Sequence, residues 1–170
     1  QAHGLALFLS MLLIAAFSTV AGFVIGQLSG GQADIARMAY TYLAIMIFAS
    51  PLQVLLGVHA DAWRNEGHAG LIALMSAGVT LANIALNCVL IVPLDMGVAG
   101  SALGTAIAQG TGLAVLVGLR WRGGGILRVS DLWKSRWIGG WRPILTLGAP
   151  VSLSFIGIAL VSATVITTLH

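Results

Sequence analysis

The sequence predicts an all-α, polytopic membrane protein, and three observations carry that prediction. The 170 residues are 58% hydrophobic and only 8% charged, with a mean hydropathy of +0.99. Ordinary globular chains carry about 25% charged residues. Lys and Arg number 8 and Asp and Glu 5, too few to cover the surface of a soluble domain. The same numbers exclude disorder, which needs low hydrophobicity and high charge. The third observation is where the charges sit. Stretches 1–33, 38–60, 67–94, 96–119 and 143–170 contain none, and each exceeds the roughly 20 residues that cross a bilayer core. In lipid the backbone must satisfy its own hydrogen bonds, so such runs are helices.

Five transmembrane helices follow, at about 4–28, 38–60, 68–92, 97–119 and 143–169. The first is too long and too evenly apolar for a signal peptide, and no basic segment precedes it. The second contains Pro51, which removes one backbone donor and should bend the helix nearby. The fourth presents Gly97, Gly100, Gly104, Ala108 and Gly112, a small-residue edge that lets another helix approach. The fifth contains Pro150, the second candidate kink. A chain that starts at Gln1 with an odd number of spans fits an excerpt from a longer protein.

Connections between the spans orient the chain. Arg64 lies in the second connection, and Arg120, Arg122, Arg128, Lys134, Arg136 and Arg142 lie in or at the edge of the fourth. Those two connections share a side, so all basic residues except Arg37 gather there, which the positive-inside rule assigns to the cytoplasm. Trp63, Trp121, Trp133, Trp137 and Trp141 flank the same connections, as interfacial anchors do. The net charge of +3 is thus explained by topology, and nucleic-acid binding finds no support. Residues 120–142 read as a linker loosened by Gly123, Gly124 and Gly125. Within it, Ser130 to Trp137 is suited to a short helix lying in the headgroup plane. The linker divides the chain into 1–119, with four helices, and 143–170, with one.

Polar residues inside the spans are few and patterned. Ser76, Thr80, Asn83 and Asn87 recur at i, i+4, i+7 and i+11, within an arc of about 60° on a helix. Ser101, Thr105 and Gln109 line up on the next span, and Tyr42, Ala49 and Gln53 share a face of the second. Such faces avoid acyl chains. They either bond helix to helix or line a water-filled cavity. Catalytic signatures such as HExxH, GxSxG and the P-loop are missing from the sequence, so no catalytic residue and no enzyme activity is expected. His59, Asp61, Glu66 and His68 surround one turn, where polar residues facing water explain them without a metal. Ser152 and Ser154 have no His or Asp partner in their span. Cys88 is a single cysteine and forms no disulfide framework.

Several runs resemble the multidrug and toxic compound extrusion (MATE) transporters. They are Arg64-Asn-Glu-Gly-His68, Asn83-Ile-Ala-Leu-Asn87, and Met96-Gly-Val-Ala-Gly-Ser-Ala-Leu-Gly-Thr-Ala-Ile-Ala-Gln109. Tyr42-Leu with Pro51, and Leu147-Gly-Ala-Pro150, resemble the family's fourth and seventh helices. The resemblance covers almost the whole chain and is nearest the DinF-like branch. It implies helices three to seven of a 12-helix, two-lobed (6+6) carrier, with 120–142 as the linker between lobes. The implied activity is secondary active antiport, exporting cationic amphipathic compounds in exchange for H⁺ or Na⁺ by alternating access, with no cofactor. The implied location is the bacterial cytoplasmic membrane, with 120–142 inside and residue 170 outside.

Carried over position by position, the first-lobe cation site of the DinF-like branch falls on Tyr42, Asn83, Asn87 and Thr105. Gln53 and Gln109 join them as cavity-lining candidates, with Pro51 and Pro150 as kinks. One departure matters. The family's Asp-Pro is here Asn87-Cys88, and an amide can ligate a cation but cannot titrate. The Glu that other branches carry on helix seven is here Ile158. The coupling carboxylate is therefore expected outside this chain, on the family's first helix. Partners implied are the lipid bilayer, drug-like cations and the remaining helices of the same polypeptide. The other readings are a lipid-linked-precursor flippase of the same superfamily and a non-transporting structural subunit.

Overall fold

A computed structural model describes residues 2–28, 33–123, 140–146, 148–149 and 161. Among these residues the regular structure is all α-helix: α1 Ala2–Leu28, α2 Ala33–Phe48, α3 Ser50–Asn65, α4 Ala69–Ile91 and α5 Gly97–Trp121. Residues 142–146 are also helical. Contacts divide the chain into two compact units, Ala6–Ser135 and a smaller one made of Gln1–Leu5 with Arg136–His170.

Three helices are long and apolar enough to cross a membrane, those containing Ala2–Phe23, Ala69–Ile91 and Gly97–Trp121, and a fourth span results if α2 and α3 count as one. The lateral surface supports this reading. Only 6% of the α4 span is buried, and Phe23, Leu74, Leu81 and Ile84 are exposed. An apolar surface of this extent suits acyl chains rather than water. Several hydroxyl side chains on the helices bond back to their own backbone. Ser18 donates to Ile14 O at 2.8 Å, Thr41 to Arg37 O at 2.9 Å and Thr111 to Ile107 O at 2.8 Å, so none demands a distant partner.

The second expected span, 38–60, is two helices that meet at 45°. Ala49 is the hinge, and Pro51 occupies the first turn of α3, where its missing N–H does least harm. The pair runs from Ala33 to Asn65, longer than the charge-free stretch at both ends. Charges near a helix end do not stop the helix. Asp61 simply pairs with Arg64 one turn later, at 2.6 Å and well exposed.

The α3–α4 reversal explains the Arg64-to-Gly67 turn. His68 N donates to Trp63 O and Gly67 N to Arg64 O, both at 3.0 Å, with Gly67 at φ +89°. This is a Schellman cap, in which a left-handed residue ends the helix. The Trp63 and His68 rings meet edge-on at 5.1 Å, supplying the side-chain contact that accompanies such caps. Gly67→Ala should cost about 1–2 kcal/mol through left-handed strain, read as a lower melting temperature in detergent.

In the larger unit α5 is the central helix, packed on α2, α3 and α4, and most extensively on α4. Gly100, Gly104, Ala108 and Gly112 are buried along the edge that the sequence marks as small. A Cβ at Gly104 would overlap the Asn87 carboxamide, and one at Gly112 would lie 2.6 Å from Val79 Cγ2. Gly97 differs from the other four: it is the exposed first residue of α5, at φ +51°. The core is Trp63, Ile72 and Leu116, against which Leu56, Ala60, Leu71, Met75 and Leu119 pack.

The expected fifth span, 143–169, begins in the helical stretch 142–146, where Thr146 donates to Arg142 O at 2.8 Å. Its remainder, with Pro150, Ser152, Ser154 and Ile158, lies almost entirely outside the described residues, as does the interfacial helix expected at 130–137.

Candidate functional site

The polar stripe of α4 divides into two parts. Toward the α4–α5 turn, Asn87 Nδ2 donates to Asn83 Oδ1 at 3.0 Å, and Asn83 Nδ2 donates across to Thr105 Oγ1 at 2.9 Å. Thr105 Oγ1 donates in turn to Ser101 O at 3.0 Å. All four residues are partly buried. The chain of donors runs in one direction and begins at Asn87, whose Oδ1 is buried with no partner among the described residues. This network ties α4 to α5, and the glycine at 104 makes room for the Asn87 amide.

Toward the other end, Ser76 and Thr80 line a cavity of about 250 Å³. Its walls are Leu56 and Ala60 from α3, Ile72, Met75 and Val79 from α4, and Leu116 and Gln109 from α5. Gln109 Oε1 is buried there without a partner among the described residues. Thr80 donates its hydrogen to Ser76 O at 2.9 Å, so its oxygen is left to accept. The cavity thus joins apolar walls to neutral acceptors that lack donors. That chemistry favours a ligand with an apolar body and N–H groups, or a cation solvated by carbonyl oxygens.

Asn83, Asn87 and Thr105 are brought together, and Gln109 lies farther along α5 on the cavity. Tyr42 is half-buried on α2 and Gln53 is exposed on α3. Neither hydrogen-bonds to the Asn–Thr chain among the described residues. The shared face drawn through Tyr42, Ala49 and Gln53 assumes one straight helix, and the 45° bend at Ala49 interrupts it. Pro51 is at that bend, and Pro150 is outside the described residues.

Three residues take places that the sequence reading missed. Arg120 is not a solvated linker cation. Its side chain is 2% exposed and its Nη1 lies 2.8 Å from Glu66 Oε1, itself 7% exposed. Trp63 is not an interfacial anchor but the largest fully buried side chain among the described residues, with the Arg120 guanidinium 4.9 Å from its ring centre. The signal was present. Gly104, Ala108, Gly112, Leu116 and Arg120 continue one i, i+4 series, and the inward face simply does not end where the charge begins. Among the described residues no three His, Cys, Asp or Glu side chains of the nearby turn group as metal ligands would, and His59 is buried rather than water-facing. Asp61 pairs with Arg64, Glu66 with Arg120, and the His68 ring rests on Trp63.

No family model matches this sequence, and no curated protein or solved structure matches it.

Proposed function

We propose that the chain is part of a secondary active multidrug efflux antiporter, exporting cationic amphipathic compounds in exchange for H⁺ or Na⁺. The observation that carries this reading is the pairing of an acceptor-lined cavity with a directed Asn–Thr network inside otherwise apolar helices. Three of the four positions that the MATE resemblance marks as a cation site fall in that network. A carrier that takes up its cargo on one side and releases it on the other needs neutral, reversible contacts, and the cavity offers those. The basic residues around Arg64 and Arg122 place their end of the helices in the cytoplasm under this reading. The membrane would be the bacterial inner membrane.

A second reading, a non-transporting structural subunit, is favoured by one observation: Asn83 and Thr105 bond directly across the helix interface, as interhelical glue would. Efflux separates the two. In cells or vesicles loaded with a fluorescent cationic dye, the full-length protein should lower dye retention. Collapsing the proton or sodium gradient should abolish that effect. Gln109→Leu should reduce efflux several-fold with normal insertion. Efflux that survives collapse of both gradients would sink the antiport mechanism, and no efflux at all would favour the structural subunit.

A further inference from the structure

The cavity and the buried ion pair share a wall. Leu56, Ala60, Ile72, Met75 and Leu116 line the cavity, and the same residues form or flank the cluster built on Trp63. Trp63 is 2% exposed and is held on two sides. The Arg120 guanidinium lies over its ring at 4.9 Å, and the His68 ring meets it edge-on at 5.1 Å. Arg120 is fixed in turn by Glu66, which caps the C-terminus of α3. The α3–α4 hairpin and the end of α5 are thereby joined at one end of the cavity.

We propose that Trp63 is a plug closing that end of the cavity, and that the Glu66–Arg120 pair is the latch holding the plug in place. Trp63, Glu66 and Arg120 do not line the cavity themselves; the indole backs the wall formed by Leu56, Ala60, Ile72 and Leu116, and Glu66 and Arg120 are positioning residues that act through it. The geometry gives the latch two states. Closed, each buried charge is neutralised and the indole is pressed into the core. Open, both charges have to reach water, because neither tolerates burial alone. Separation of the α3–α4 hairpin from α5 therefore admits water to the cavity's end as it releases the indole. The idea rests on the cavity being the substrate site, but its test does not need transport.

The test uses the full-length chain in vesicles with Cys88→Ala and Ala60→Cys. Ala60 packs against the Trp63 cluster and borders the cavity. A membrane-impermeant thiosulfonate is added from the side that bears Arg122. Labelling should be slow in this background and at least tenfold faster with Glu66→Gln or Arg120→Met. Exchanging the charges, with Glu66→Arg and Arg120→Glu together, should restore slow labelling in part. Unchanged rates in both single variants would overturn the latch. Should those variants fail to insert, Trp63→Leu decides: faster labelling supports the plug, and an unchanged rate removes it. Efflux measured in parallel separates failure of the latch from failure of the transport reading.

Discussion

Replacing Arg120 with methionine should lower the stability of the helical unit by about 3–5 kcal/mol, the range for removing one member of a buried ion pair. Methionine keeps much of the volume, so the loss would come from charge. Glu66 would be left almost fully buried with no guanidinium to answer it, and Trp63 would lose the cation over its ring. The double variant Glu66→Gln with Arg120→Met should recover most of the loss, because neutral groups carry no such desolvation cost. The exposed Asp61–Arg64 pair is the internal comparison, and breaking it should change stability by less than about 1 kcal/mol. Thermal unfolding in detergent, followed by circular dichroism, reads all three. Equal melting temperatures for Arg120→Met and the parent would show that the pair contributes nothing to stability.

Gly104→Val should be nearly as damaging, by about 3 kcal/mol, through overpacking and loss of the Asn87–Asn83 hydrogen bond within α4. A Cβ at this position already collides with the Asn87 amide, and two further methyl groups would push α5 off α4. The carboxamide would have to swing away, breaking its bond to Asn83. Gly118 is on the same helix with open space where its Cβ would lie. Gly118→Ala should therefore be neutral or stabilising by about 1 kcal/mol, since alanine is the better helix former. Equal melting temperatures for the Gly104 and Gly118 variants would show that close approach at 104 is unimportant.

Charge spacing made the helical class and most of the helix positions readable from residues alone. Spacing of Gly100, Gly104, Ala108 and Gly112 likewise marked the edge that meets α4. Less readable was where helices end, because the membrane boundary and the helix boundary are different things. Asp34, Arg37 and Asp61 lie inside helices although they bounded the apolar runs. Burial of Arg120 was hidden for a related reason. A charge is assumed to face water unless its partner is known, and Glu66 is 54 residues away in sequence. The Asn83–Thr105 bond was half-visible: each residue lay on a polar face, but only packing places those faces opposite each other. The cavity needed three helices at once, and no periodicity along one of them reports it.

The one-way order of the Asn87, Asn83, Thr105 and Ser101 bonds has a consequence for a single atom. Asn87 donates to the Asn83 oxygen, which leaves the Asn83 amide nitrogen to reach Thr105 and the Thr105 hydroxyl to reach the Ser101 carbonyl. An aspartate at 87 would have no hydrogen to give. Asn83 would then rotate its amide to donate toward position 87, presenting its oxygen to Thr105. The Thr105 hydroxyl would turn from the Ser101 backbone to Asn83 in response. Exchanging one amide nitrogen for oxygen at position 87 would thus reverse the whole relay and release the Ser101 carbonyl of the neighbouring helix from the Thr105 hydroxyl.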